Sequence, residues 1–326
     1  MDNNQALERQ YPHRWRAIQM LVLASLFWGL SFPVMKMLAI LHQSLLNTTD
    51  SWFSAASTVT IRFGIAGLIT AVFSWRTLTK MTALEFWHGA GLGLFGSIGL
   101  LWQMDGLSYT SAGTSAFLTQ SYCLIIPILV AFRDRRPPPL ITVLACGMMM
   151  AGIGILTGYT PKLATIGRGE LETLLGSLFF TGQILWLERP VFSRNNVNNF
   201  TTVMFGITAL MALPVALWKM RSSADFIRAY STREPLVLLG ILIAACTLVA
   251  YVVMNYWQPQ LPATEAGLIY GAEPVFASMF ALFVPGMLST WTGHAYGNER
   301  LTSSLLLGGS LIVLANVLIQ YGHRRR

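Results

Sequence analysis

Long apolar runs separated by short polar joints dominate this chain, with neither the 3.6-residue amphipathic period of a soluble helix nor the strict alternation of a half-buried strand. A helix needs about 20 apolar residues to cross the hydrocarbon core of a bilayer. Ten runs meet or approach that length: 17–41, 53–75, 84–104, 110–132, 139–159, 170–188, 199–219, 235–257, 262–286 and 301–322. The run 170–188 is the least apolar, because it holds Glu172 and Gln183 and ends in Glu188-Arg189-Pro190. Most joints are too short for an inserted soluble domain. The pattern predicts an all-α polytopic membrane protein with ten transmembrane helices.

Composition agrees. The 326 residues are 54% hydrophobic and 11% charged, where soluble domains carry about 25% charged residues. The net charge of +8 would fit a nucleic-acid partner only if the basic residues were gathered on one polar domain. They are scattered between apolar runs instead, so they act as topology signals and no nucleic-acid partner is expected. Arg9, Arg14, Arg16, Arg76, Lys80, Arg133, Arg135 and Arg136 fall in the N-terminus and the second and fourth joints, while the first and third joints have none. That bias puts the N-terminus in the cytoplasm, and an even helix count returns Arg324-Arg325-Arg326 to the same side. The joint 219–234 departs from this rule, since it carries Lys219, Arg221, Arg228 and Arg233 on the side assigned as external. Run 17–41 exceeds the 7–15 apolar residues of a signal peptide and contains Lys36, so it is read as a retained first helix. Cys123, Cys146 and Cys246 all lie within apolar runs, which suits packing better than a disulfide or metal framework, and no cofactor or metal is expected.

The two halves echo each other in order. Ser25–Trp28 (S-L-F-W) recurs as Ser177–Phe180 (S-L-F-F), and Tyr109–Gly113 (Y-T-S-A-G) as Ala263–Gly267 (A-T-E-A-G). Gly147–Gly154 finds a weaker echo in Gly308-Gly309-Ser310. Five helices per half is an odd number, so the second copy inserts upside down relative to the first. Inverted repeats of this kind mark secondary transporters, with the substrate site near midplane at the repeat interface.

Several segments together carry a family resemblance. Leu26–Lys36 (L-F-W-G-L-S-F-P-V-M-K), Ile61-Arg62-Phe63, Leu107–Thr119, Ala272–Phe276 (A-E-P-V-F) and Glu299-Arg300-Leu301-Thr302 with the G-S-L-I-V beyond it resemble the EamA family of the drug/metabolite transporter superfamily. The resemblance spans nearly the whole chain. It implies two five-helix repeats, 1–160 and 161–326, both termini cytoplasmic, a bacterial inner membrane, and export of small metabolites. Ser289–Asn298 departs from the family as an insertion before Glu299, and Phe132–Arg136 stands where the second half has its Glu-Arg pair.

Chemistry is sparse in such a chain, so each polar residue at depth counts. Glu273, followed by Pro274, lies near the middle of its run. A carboxylate there costs roughly 2.5–3.5 kcal/mol on insertion scales, and the default reading is a functional site facing a cavity. Reversible protonation of Glu273 would couple transport to a proton gradient. Glu265 sits at the start of the same run and reads as a helix-start acid. Arg62 is about nine residues into its run, or roughly 13 Å, with a substrate carboxylate, Asp105 or Glu273 as alternative partners. Lys36 is close enough to a helix end to snorkel, so an interfacial role competes with binding. Trp28, Trp102, Gln103, Gln120, Tyr122, Asn255, Tyr256 and Tyr270 complete the candidate cavity residues. Gly91-Leu-Gly93-Leu-Phe-Gly96 fits a dinucleotide fingerprint literally, but no strand precedes it, and Gly89, Gly93 and Gly96 read as a helix-packing face. A membrane-embedded enzyme acting on a lipid-soluble substrate is the alternative to a transporter. It lacks support, because the five histidines fall in termini, joints or helix starts and neither H-E-x-x-H nor G-x-S-x-G occurs. The expected partners are a small-molecule substrate and the lipid bilayer.

Overall fold

The computed structural model describes residues 13–48, 50–110, 112–157 and 166–324. Arg9, the 160/161 repeat boundary and Arg325-Arg326 lie outside them. Helices dominate the described residues, and none forms a strand. They are α1 (Arg14–Leu46), α2 (Ser51–Leu78), α3 (Ala83–Tyr109), α4 (Ala112–Thr119), α5 (Tyr122–Asp134), α6 (Leu140–Thr157), α7 (Arg168–Leu187), α8 (Val197–Lys219), α9 (Ala224–Ala229), α10 (Arg233–Ile243), α11 (Ala250–Trp257), α12 (Ala263–Tyr270), α13 (Glu273–Ala281), α14 (Val284–Thr292) and α15 (Ser303–Arg324). Five helical stretches are long and apolar enough to cross a bilayer, and a sixth is the bent pair formed by 263–281 and 284–292. The protein is an all-α polytopic membrane protein.

Three of the sequence-predicted runs are not uniform helices. In 110–132 the chain tightens at Gln120-Ser121, where Gln120, Ser121, Cys123 and Leu124 each donate to a carbonyl three residues back. In 235–257 one π-helical turn, Ala244–Val249, separates α10 from α11. In 262–286 the chain tightens again at Gly271-Ala272, so Glu273 opens a new helix instead of sitting inside an old one. Pro274 then lies in the first turn of α13, where its missing N–H removes no hydrogen bond. This corrects the expectation of a helix-interior acid: Glu273 is a first-turn acid at mid-span, where the N-terminal end of the half-helix favours negative charge.

Residues 281–299 are tied together locally. Pro285 has no N–H to offer the carbonyl of Ala281, and Glu299 supplies one instead at 2.8 Å. Asn298 accepts from the Gly286 N–H at 2.5 Å, and Gly293 turns the chain with a φ of 73°.

Close packing rests on small residues. A Cβ on Gly89 would stand 2.3 Å from the Phe200 carbonyl oxygen, so α3 and α8 meet backbone to backbone only because position 89 is glycine. The basic joint after α8 is engaged locally: Lys219 pairs with Asp50 at 3.6 Å and Arg221 donates to Thr48 at 2.8 Å. The three cysteines are free and buried.

Candidate functional site

The two tightened turns come together, with α12 packed on α5 and α13 on α4. Gln120, at the break between α4 and α5, and Glu273, at the break between α12 and α13, are both buried. Glu273, but not Gln120, lines a cavity of about 70 Å³, which is room for several waters, since one needs about 10–15 Å³. Its wall draws Trp28 and Met35 from α1, Arg62 from α2, Gln103 from α3, Tyr122 from α5, Phe180 and Gln183 from α7, Tyr251 from α11 and Tyr270 from α12. Both acid and base in the wall are buried.

Arg62 is held without an acid. It donates to the Thr247 hydroxyl, to the Cys246 carbonyl at 2.8 Å and towards the Met35 sulfur at 3.7 Å. The π turn makes this possible, because widening the helix turns the Cys246 carbonyl towards a side-chain donor. Asp105 is not its partner, being bound to Ser51 and Arg168. Arg62 and Glu273 thus share one cavity, and no ion pair joins them among the described residues. Trp28 packs edge-on between Tyr251 and Tyr270, at ring-centroid distances of 5.4 and 5.3 Å. Its indole N–H is buried and finds no acceptor among the described residues.

The remaining candidates divide. Gln103 lines the cavity and donates to Thr119 at 3.0 Å, and Tyr270 donates to Gln258 at 2.9 Å. Lys36 lies outside it, in a pocket of about 20 Å³ between α1, α2 and α3, with its ammonium on the Leu107 carbonyl at 3.2 Å. Trp102 packs on Trp52 at 5.7 Å, away from the cavity wall. Asn255 is buried but bonds Thr201 at 2.9 Å, which ties α11 to α8. Tyr256 is 54% exposed and points outward. Sequence reasoning missed Tyr251, Phe180, Gln183 and Met35 as wall residues. Tyr251, one turn before Asn255 on α11, was the one with a usable signal, being a tyrosine at mid-run. Glu265, read as a helix-start acid, opens α12 and also pairs with Arg14 at 2.8 Å.

Residues 15–158 match the model of the EamA-like transporter family. Over that stretch, somewhat under half of its length, the chain is similar to the EamA-like transporter family. An uncharacterized transporter from Archaeoglobus fulgidus is 26% identical over 305 residues, covering 92% of this chain and 84% of its own length. A solved crystal structure superposes with a TM-score of 0.66, covering 96% of this chain and 99% of its own, at 17% identity, which is a likeness of fold. The match to an EamA-like segment and the apolar helices of membrane-spanning length together make the chain a membrane transporter.

Proposed function

We propose that the protein is a secondary-active exporter of small amphipathic metabolites, amino-acid-like or drug-like, working by alternating access with Glu273 as its proton-coupling group. The observation that carries this reading is a single buried cavity holding Glu273 and Arg62, unpaired with each other, between aromatic walls. A buried guanidinium without an acid is costly to keep. An anionic group on the cargo would relieve that cost, while the apolar body packs on Trp28, Phe180 and Tyr251. Glu273 would take either a donor on the cargo or a proton, and competition between the two couples their movements.

The same reading includes ten helices in two inverted repeats, 1–160 and 161–326, with both termini in the cytoplasm of a bacterial inner membrane. Packing supports it. Exchanging the halves maps α1 on α7, α2 on α8, α3 on α10–α11, α4–α5 on α12–α13 and α6 on α15. Most of the larger contacts keep to that exchange: α2 packs on α8, α6 on α15, α3 on α7 as α11 does on α1, and α4 on α7 as α13 does on α1; the packing of α3 on α8 has only a light counterpart between α2 and α10. Gln120 and Glu273 would stand at matching breaks under it.

The test compares extracellular metabolites of cells lacking the protein with those of cells overexpressing the wild type or Glu273→Gln. Wild type should raise an anionic or zwitterionic compound outside the cell, and dissipating the proton gradient should abolish the rise. Glu273→Gln should cut it at least tenfold. Efflux at the wild-type rate with unchanged pH dependence in Glu273→Gln overturns the assignment.

A further inference from the structure

A second set of charges lies away from the central cavity, where α3 ends and α7 begins. Asp105 is fully buried and Glu172 is 5% exposed. Arg168 bridges them, reaching Asp105 at 2.6 Å and Glu172 at 2.7 Å, and also donates to the Tyr109 hydroxyl at 2.9 Å. Ser51, at the start of α2, donates to the other Asp105 oxygen at 2.6 Å. The second oxygen of Glu172, Oε2, is buried with no hydrogen-bond partner among the described residues, and the shared Arg168 guanidinium brings the two carboxyls to one place. The remaining charged neighbours are engaged elsewhere: Glu170 accepts from Thr110 at 2.6 Å, and Lys36 is held on the Leu107 carbonyl.

We propose that Asp105, Glu172 and Arg168 form a proton-binding site, holding one proton on Glu172 and clamping α3 to α7 while it is bound. Two carboxylates and one guanidinium leave the cluster with a net charge of −1 when both acids are ionised. Two buried carboxylates that share one guanidinium do not both ionise readily, because each opposes the charge of the other. A proton on Glu172 Oε2, the oxygen left without a partner, removes the excess charge. The repulsion between the two acids across Arg168 is then gone. The proton comes from water on that face, past Arg168, which is 49% exposed. One O–H bond forms, nothing leaves, and no electrons change hands.

The backbone makes the cluster sensitive to helix separation. A Cβ on Gly106 would lie 2.9 Å from the Gly169 carbonyl, so the helices touch one residue beyond Asp105 and one beyond Arg168. A cation at the first residue of α7 also opposes the helix dipole, so the two acids are what hold Arg168 there. Loss of the proton restores repulsion at this closest approach and loosens it. Ser51 also lines the small pocket that holds Lys36 and Ala39, so loosening is felt there. This inference goes beyond the Glu273 reading and stands whether or not Glu273 couples transport.

The test uses the purified protein in nanodiscs, without cargo. Infrared pH titration should show a carboxylic C=O band that disappears as the pH rises, is absent in Glu172→Gln and in Asp105→Asn, and persists in Glu273→Gln. In Ala39→Cys, labelling by an impermeant maleimide, corrected for the parent protein, should accelerate at least fivefold as that band disappears. Adding Glu172→Gln should hold the rate at its low-pH value at every pH. A band and a pH-dependent rate that survive both substitutions in the cluster overturn the proposal, as does a parent protein that shows neither. Two variants of the cluster keep the test decisive if one fails to fold.

Discussion

Trp28 shows how one atom in the cavity wall divides stability from function. Its indole N–H is buried beside the cavity with no acceptor among the described residues, and an unmet buried donor costs about 1–3 kcal/mol. Trp28→Phe keeps an aromatic ring between Tyr251 and Tyr270 and removes the donor. The variant should unfold no earlier than wild type in thermal melts, while half-saturating cargo concentration rises about fivefold or more, the worth of one hydrogen bond of about 1 kcal/mol. An unchanged affinity would remove Trp28 from the binding surface. Residues of this kind were legible in the sequence because a polar or amphipathic group inside an apolar run needs a reason to be there. Glu273, Arg62, Gln103, Tyr122 and Tyr270 were found that way. Phe180 and Met35 were not, because lipid and protein interior are equally apolar and an all-apolar helix carries no marker of its inward face. Asp105 and Glu172 lie near the ends of their helices, where acids are ordinary, and only the fold brings them together.

Among the helices, the irregular ones build the site. The π turn Ala244–Val249 directs the Cys246 carbonyl and the Thr247 hydroxyl at Arg62, and Thr247 in turn donates to Leu242 at 2.9 Å. Thr247→Val preserves shape but leaves an Arg62 N–H buried without its acceptor. The expected cost is about 1.5–3 kcal/mol, the range for hydrogen bonds to charged groups, read as a lower melting temperature in detergent. A ligand that supplies an anionic oxygen to Arg62 should recover part of that loss, so the variant should gain more from added cargo than wild type does. Equal gains would mean that Arg62 does not contact the cargo. Pro127, Pro274 and Pro285 gave partial notice of irregularity in the sequence. The π turn gave none, since no proline or glycine falls within Ala244–Val249.

At the scale of the molecule, ties between distant segments gather about the start of α12. Tyr270 donates to Gln258, Gln258 donates to the Ile184 carbonyl at 2.9 Å, and Glu188 accepts from the Ala263 N–H at 2.5 Å, which starts α12 where Pro262 offers no side-chain cap. Such ties were out of reach of the sequence, which predicted spans and their order but not which joints meet. The longest tie joins Arg14, at the first turn of α1, to Glu265 at the first turn of α12, and its two ends are unequally buried, at 15% and 1% side-chain exposure. Unequal burial makes the two truncations unequal. Arg14→Ala strands an ionised carboxylate in the interior, a loss of about 3 kcal/mol, at the low end of what breaking a buried pair costs, because the start of α12 offsets part of it. Glu265→Gln leaves Arg14 near enough to water to solvate its charge, so it should cost about 1 kcal/mol. The double variant removes both charges and should be more stable than Arg14→Ala alone. Thermal melts of the four proteins in one detergent test this, and strictly additive losses would show that the pair does not act as a tie. A weakened tie should also speed the reaction of impermeant thiol reagents with a cysteine placed at Gln258, which is fully buried while α1 is held against α12.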